Sequence, residues 1–254
     1  MPRFFVPSDQ IDIEANSISI KGDDAHHISR SLRMAAGEHI TVCDMRGTEY
    51  DCVLDAFSSE AVTAKILSSS STNSEPPFDF HLYQALPKGD KLDAIIQKSV
   101  ECGASSITTF ESDRCIARER DGKTERKLER RQKIALEAAK QCGRGIVPAV
   151  YSGADFKEAI DRAKTADVPV FCYEGDGTES LKLLIKKRIA ELSADPCKKI
   201  SISAVVGSEG GFSKAEADYA RENGMLMAGL GGRILRTETV SSFVLGCIVY
   251  ELEL

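Results

Sequence analysis

The residues best placed to do chemistry sit in two glycine-rich turns near the C-terminus. The first is Gly207-Ser208-Glu209-Gly210-Gly211-Phe212. The second, Gly229-Leu230-Gly231-Gly232-Arg233, runs straight into Ile234-Leu235-Arg236-Thr237-Glu238-Thr239. Glycine lets backbone N–H groups come close to a ligand. Two such loops, with arginine and glutamate packed between them, predict a small ligand held mainly by backbone. One glycine turn alone is as often a plain tight turn; two in succession shift the balance toward a site. A dinucleotide fingerprint opens its domain and is followed about 20 residues later by an acid for the ribose. Here hardly more than one helix follows Gly232, which disfavours a nucleotide-dependent oxidoreductase. No Gly-Lys-Ser/Thr follows either turn, so neither is a P-loop.

The elements that must hold these turns are legible from periodicity. Each turn follows a short apolar run that reads as a buried strand, Ile200 to Val206 and Met225 to Ala228. Ser213 and Glu216 have capping-box spacing and start a helix that stops at Gly224. Thr237 or Thr239 caps a last helix through Ser242, Val244, Ile248 and Tyr250. Upstream, Phe78 to Leu86, Ile107 to Phe110 and Val168 to Tyr173 read as strands. Asp90 caps a helix with Leu92, Ile95, Ile96 and Val100 on its apolar face, ended by Gly103. Lys123 to Cys142 is a long helix with Leu128, Ala135, Leu136 and Ala139 inward, ended at Gly143. Phe156 to Ala166 and Leu181 to Leu192 are further helices, the latter basic and amphipathic. Repeated strand–helix alternation predicts a largely parallel sheet covered on both faces, which binds ligands at its strand ends.

Residues 1 to 72 read differently, as short strands and turns that make a small β-barrel. Ile11, Ile13, Ile18 and Ile20 alternate with polar residues. Asp23 or Asp24 caps a short helix carrying His26, His27, Ile28, Leu32 and Met34. Arg30 and Arg33 on it are three apart and share a face. His39 to Cys43 is a strand, Gly47 to Tyr50 a hairpin turn, and Val53, Leu54, Val62 and Ile66 continue the pattern. Ser68 to Pro77 is polar and proline-ended, a linker by composition, so the domain boundary is expected near residue 73.

Composition bounds the rest. Hydrophobic content of 42% and charged content of 28% over 254 residues describe an ordinary globular protein of one large or two modest domains. No run approaches a membrane span, and Met1-Pro2-Arg3-Phe4-Phe5 lacks signal-peptide organisation, so a cytoplasmic location is expected. Eight cysteines without a C-x-x-C pair, and histidines only at His26, His27, His39 and His81, form no metal pattern and no disulfide framework. The net charge of −6 argues against an indiscriminate nucleic-acid binder. Arg114 to Arg144, with eleven Lys/Arg against five Asp/Glu, is either a localised phosphate-contacting face or a solvated, internally paired helix.

The segments V-V-G-S-E-G-G-F-S and L-G-G-R-I-L-R-T-E-T closely resemble the paired signatures of the RsmE family, the SPOUT-class methyltransferases that modify N3 of a uridine in bacterial 16S ribosomal RNA. M-P-R-F-F, H-H-I-S-R-S-L-R-M, Q-A-L-P-K-G-D-K-L-D-A-I-I-Q-K-S-V-E-C-G and E-A-A-K-Q-C-G-R extend the resemblance over the whole chain. Two residues depart from it: Ser208, where the family usually has Pro, and Gly232, where it commonly has Pro or Lys. The resemblance implies a PUA-like RNA-binding β-barrel over 1–72 and a SPOUT domain over 73–254. It also implies a C-terminal trefoil knot, which general topology rules disfavour. The implied cofactor is S-adenosylmethionine. The implied partners are 16S rRNA, in the decoding region of the small subunit, and a second copy of the chain. A non-catalytic RNA-binding assembly factor is the alternative.

Under that resemblance, Gly207, Glu209, Gly210, Leu230, Gly231, Leu235, Arg236 and Thr237 line the cofactor pocket, with Tyr173 and Glu174 as its third wall. Methylating N3 of uracil requires loss of its proton, so the site needs an acceptor and a cation beside the carbonyl oxygens. Arg236 is the candidate cation, and Glu238 or Glu209 the acceptor; Arg236 and Glu238 pairing only with each other is the competing reading. Arg30, Arg33, Lys88, Lys91, Arg114 and Arg144 are the candidate RNA contacts. The alternatives are solvated surface for Arg30 and Arg33, solvated helix-start lysines for Lys88 and Lys91, and pairing with Asp113 for Arg114. Cys142 and Cys172 lie nearest the expected site, without a histidine close in sequence to activate them.

Overall fold

The computed structural model describes residues 1–119, 124–192 and 199–254. Lys123, the expected start of the long helix, lies outside the described residues. The chain forms two compact units, Met1–Glu75 with Ala139–Val147, and Pro76–Ala138 with Pro148–Leu254.

The first unit is a barrel-like six-stranded sheet. Its strands are β1 (Arg3–Phe5), β2 (Ile11–Asp12), β3 (Ser17–Lys21), β4 (His39–Cys43), β5 (Thr48–Phe57) and β6 (Ala61–Ser71), in the order β1-β4-β5-β6-β3-β2. Alternation buries Ile18 and Ile20 of β3 against Ile40, Val42, Leu54 and Val62. Ile13 does not join them. It is 57% exposed, in a turn closed by Asn16 N–H donating to its carbonyl. Helix α1 (Gly22–His26) starts from Lys21, so neither Asp23 nor Asp24 caps it; both sit in its first turn, where carboxylates suit the helix dipole. A wider π-type turn, His27–Ser31, follows. Arg33 then has φ +53°, so Arg30 and Arg33 share no helix face. Nor is the serine run wholly linker. Ser68 to Ser71 pair with Asp51 to Thr48 and complete the β5–β6 ladder.

The second unit is an α/β domain whose described residues form seven strands, all parallel. In chain order its elements are β7 (Phe78–Ala85), α2 (Lys91–Glu101), β8 (Ser106–Glu111), α3 (Thr124–Cys142, of which residues 139–142 count with the first unit), β9 (Ala149–Asp155), α4 (Phe156–Ala163), β10 (Val168–Cys172), β11 (Glu179–Ser180), α5 (Leu181–Glu191), β12 (Ile200–Val206), α6 (Lys214–Glu222), β13 (Leu226–Gly229) and α7 (Thr237–Leu252). The sheet runs β11-β13-β10-β12-β7-β8-β9. Its central strands are continuously buried over Leu82–Ala85 of β7, Ile202–Val206 of β12 and Val168–Phe171 of β10, because both faces are covered there. Phe78, Phe80, Leu82, Ile202, Ala204 and Val170 are essentially inaccessible to solvent.

Helix ends explain where the loops point. Ser213 and Glu216 form the expected capping box on α6, and Asp155 and Glu158 form a second on α4. Asp90 precedes α2 without capping it by its side chain. Helix α7 starts at Thr237 from Arg236, so neither Thr237 nor Thr239 is its cap; the Thr237 hydroxyl is committed elsewhere. Parallel strands end on one side of the sheet. The Gly207 loop after β12, the Tyr173 turn after β10 and the Gly229 loop after β13 therefore open onto the same edge.

Candidate cofactor and active site

Those three loops enclose a cavity of about 640 Å³, within the roughly 300–1,000 Å³ range of small-molecule sites. Its first wall is Gly207 to Phe212. A Cβ on Gly207 would meet Gly211 Cα and Phe212 Cε2, each at 3.2 Å, so any larger residue would push on the loop where it folds back. Phe212 anchors that fold. Its ring lies 4.4 Å from the Phe171 centroid and stacks parallel on Phe110. Gly211 N–H donates to the Ser208 carbonyl at 3.0 Å and closes the turn. Gly211 has φ +63°, and a Cβ there would stand 3.4 Å from Glu174 Oε1.

The second and third walls meet along β10 and β13. Tyr173 N–H donates to Ala228 O. Thr178 Oγ1 would lie 3.0 Å from a Cβ on Gly229, which keeps that position small. Gly231 has φ +96°, a conformation that favours glycine. Leu230, Leu235, Arg236, Thr237 and Glu238 complete the lining, with Tyr173, Glu174, Gly207 and Glu209.

Lys91, Glu209 and Glu238 form a charged cluster in the cavity lining. Lys91 Nζ is 2.7 Å from Glu209 Oε1 and 3.8 Å from Glu238 Oε2. The Lys88 N–H donates to both Glu209 oxygens, at 3.1 and 3.3 Å. Burial alone raises the Glu209 carboxyl; the Lys91 bond and backbone N–H groups outweigh it and hold it below the ordinary range. The bond to Glu209 likewise holds the Lys91 ammonium above its ordinary value. Glu238 Oε2 is buried and has no hydrogen-bond partner among the described residues. Arg236 is exposed at the cavity and forms no ion pair with Glu238.

Some expected residues lie elsewhere. Gly210 does not line the cavity: a Cβ there would meet Arg114 Cβ at 2.9 Å and Arg114 O at 3.1 Å, so it is the seat of Arg114. Arg114 donates to the Gly210 carbonyl, while Asp113 accepts from Ser213; the two do not pair. Lys91 faces the cavity's carboxylates, whereas the Lys88 side chain is exposed. Arg144 is only 4% exposed and grips Glu75 through Nε and Nη2, with no face for a phosphate. Arg30 and Arg33 are exposed in the first unit. Cys172 lines the cavity, its thiol pushed up to about 12 by burial and so unreactive; Cys142 belongs to the first unit.

Sequence reasoning missed Gln84, Thr178, Ser208 and Phe212. Gln84 has a visible signal, an amide in phase with the apolar positions Phe78, Phe80 and Leu82 of β7. Ser208, noted above only as a departure from the family, lines the cavity with a buried, unpartnered hydroxyl. Thr178 carries no signal, because only folding brings it under Gly229. Beside the cavity, an apolar groove of about 540 Å³ runs between α5 and α7, past Leu181, Ile185, Phe243 and Tyr250.

The chain matches the RNA methyltransferase domain family over residues 74–249 and the RNA methyltransferase PUA domain family over residues 20–67. It is 36% identical to the ribosomal RNA small subunit methyltransferase E of Bacillus subtilis, over 100% of this chain and 98% of that protein. It is 27% identical to the protein of the same name from Buchnera aphidicola, over 95% and 90% of the two chains. The structure of ribosomal RNA small subunit methyltransferase E from Neisseria gonorrhoeae bound to S-adenosyl methionine superimposes with a TM-score of 0.82 at 27% identity, covering 99% of this chain and 98% of that one.

Proposed function

Because this chain belongs to the ribosomal RNA small subunit methyltransferase E family, we propose that it methylates N3 of one uridine in the decoding region of 16S ribosomal RNA, using S-adenosylmethionine. The observation that carries this reading is the glycine-walled cavity, where the buried Ser208 hydroxyl and Glu238 Oε2 lack a hydrogen bond among the described residues and suit a polar ligand. When bound, S-adenosylmethionine supplies the methyl group for an in-line displacement. Gly207, Leu230, Gly231, Leu235 and Thr237, with Tyr173 and Glu174, would hold it. Ser208 and Gly211 take the place expected of Gly210.

The remaining chemistry belongs to side chains. N3 of uracil loses its proton during transfer, and Glu238 accepts it. Glu209 is the weaker base, since Lys91 Nζ and the Lys88 N–H already occupy its oxygens. Arg236, exposed beside the cavity and unpaired with Glu238, stabilises negative charge developing on the uracil carbonyl oxygens. Arg30, Arg33, Lys88 and Arg114 contact RNA phosphates.

The C-terminal segment forms the trefoil knot of the SPOUT class. The packing of α7 on central β12 and β7, rather than at the sheet edge, supports that assignment. A second copy of the chain covers the α5–α7 groove, and the protein works in the cytoplasm on the small ribosomal subunit.

The test is methyl transfer to small subunits lacking the modification. A methyl group at N3 blocks Watson–Crick pairing, so reverse transcription stops at one uridine in the decoding region. Transfer without such a stop would refute the N3 assignment. Cofactor binding without any transfer would favour the assembly factor.

A further inference from the structure

Gln84 interrupts the apolar face of β7. Phe78, Phe80 and Leu82 fill the side of the strand that it shares, and Gln84 is 0% exposed. A buried amide is costly unless it is bonded. Its Nε2 lies 3.0 Å from Ala85 O, 3.2 Å from Gly207 O and 3.0 Å from Thr237 Oγ1. Two of these are carbonyls, which only accept, so the amide nitrogen must face this side.

Thr237 Oγ1 lies 2.6 Å from the same Gly207 carbonyl. Its hydroxyl therefore donates to Gly207 and accepts from Gln84. One amide thus joins the end of β7, the first glycine loop and the first turn of α7, across 123 and 153 residues of sequence. Arg236 and Glu238 flank Thr237 directly.

We propose that Gln84 is a positioning residue for methyl transfer: by fixing the Thr237 hydroxyl it sets the orientation of Arg236 and Glu238. This rests on the methyltransferase reading above. Gln84→Met keeps the volume and the unbranched shape. It also leaves the Thr237–Gly207 bond in place, so the cavity floor stays assembled. The loss belongs in the chemical step rather than in folding or cofactor affinity.

The experiment compares wild type, Gln84→Met, Thr237→Val and the double variant. Three quantities are read: single-turnover methyl transfer to small subunits, S-adenosylmethionine affinity by calorimetry, and hydrogen exchange of residues 236–240 in the cofactor-free protein. Gln84→Met is expected to slow transfer about tenfold with affinity changed less than about threefold. It also speeds exchange at 236–240 while β7 and β12 stay protected. The double variant is no slower than Thr237→Val, because Gln84 acts through Thr237. Wild-type transfer and unchanged exchange in Gln84→Met would overturn the proposal, as would losses that multiply in the double variant. A wild type that transfers no methyl group refutes the methyltransferase reading instead, and the exchange data still decide the Gln84–Thr237 link.

Discussion

The Lys91 ammonium stands 2.7 Å from Oε1 of Glu209. Glu238, 3.8 Å from the same nitrogen, keeps a buried oxygen without a hydrogen bond. Glu209 and Glu238 therefore have different chemical tasks. Glu238→Gln should lower kcat by about 10² or more, the usual contribution of a general base, whereas Glu209→Gln should lower it less than about tenfold. Single-turnover rates decide it, and equal losses in both variants would contradict the assignment. The Glu238→Gln deficit should shrink as pH rises toward about 9, where uracil N3 ionises unaided.

Glu209 carries a stability signature. Its folded-state value lies below the ordinary 4.5, because bonding from Lys91 and backbone N–H groups outweighs burial. Such a group stabilises the fold fully above its unfolded value, and that contribution disappears as pH falls through the depressed value. The melting-temperature gap between wild type and Glu209→Gln should be constant from pH 8 down to about 5 and close below about 4.5. A gap that widens on acidification would show that the carboxylate is not held ionised.

By family resemblance Arg144 is a candidate RNA contact, and in the structure it is a strut. Glu75 accepts from Arg144 Nε at 3.2 Å and Nη2 at 2.6 Å, and from the Gly145 and Ile146 N–H groups. Removing one partner of a buried pair costs about 3–5 kcal/mol because the other charge is left uncompensated. Arg144→Ala should therefore lose about 3 kcal/mol in urea unfolding. Glu75→Gln/Arg144→Met should recover part of it. A stable Arg144→Ala with weakened RNA binding would restore the phosphate-contact role.

How much was legible follows from what each signal encodes. The strand runs at Phe78, Val168 and Ile200 and the Ser213–Glu216 capping box depend on local pattern, and each appears where periodicity puts it. The glycine loops were found because glycine records a backbone requirement, as Gly207 does against Phe212. Gly210 misled for the same reason: sequence says that a Cβ is unwelcome, but not that the obstacle is Arg114. Ser68 to Ser71 looked like linker because strand pairing is set by the partner β5, not by serine's own preference. Arg144 is opaque because its partner lies 69 residues away, and Gln84, although visible as an amide in an apolar register, has partners up to 153 residues away that sequence does not show.

The two glycine loops should respond in opposite ways to an added methyl group. Gly207→Ala forces a Cβ to 3.2 Å from backbone Gly211 and from a ring locked in the Phe110–Phe171 stack. Neither neighbour is free to retreat, so the loop must open and S-adenosylmethionine affinity should fall by about tenfold or more. At Gly232 a Cβ meets nothing within 4 Å, and the backbone is outside the left-handed region. Gly232→Ala should stabilise the fold by about 0.4–1 kcal/mol, since alanine restricts the unfolded chain. Calorimetric titration and urea unfolding on both variants test the pair. Unchanged affinity in Gly207→Ala would mean that the first loop is not the cofactor's wall. A destabilised Gly232→Ala would mean that the second loop needs its glycine for backbone conformation.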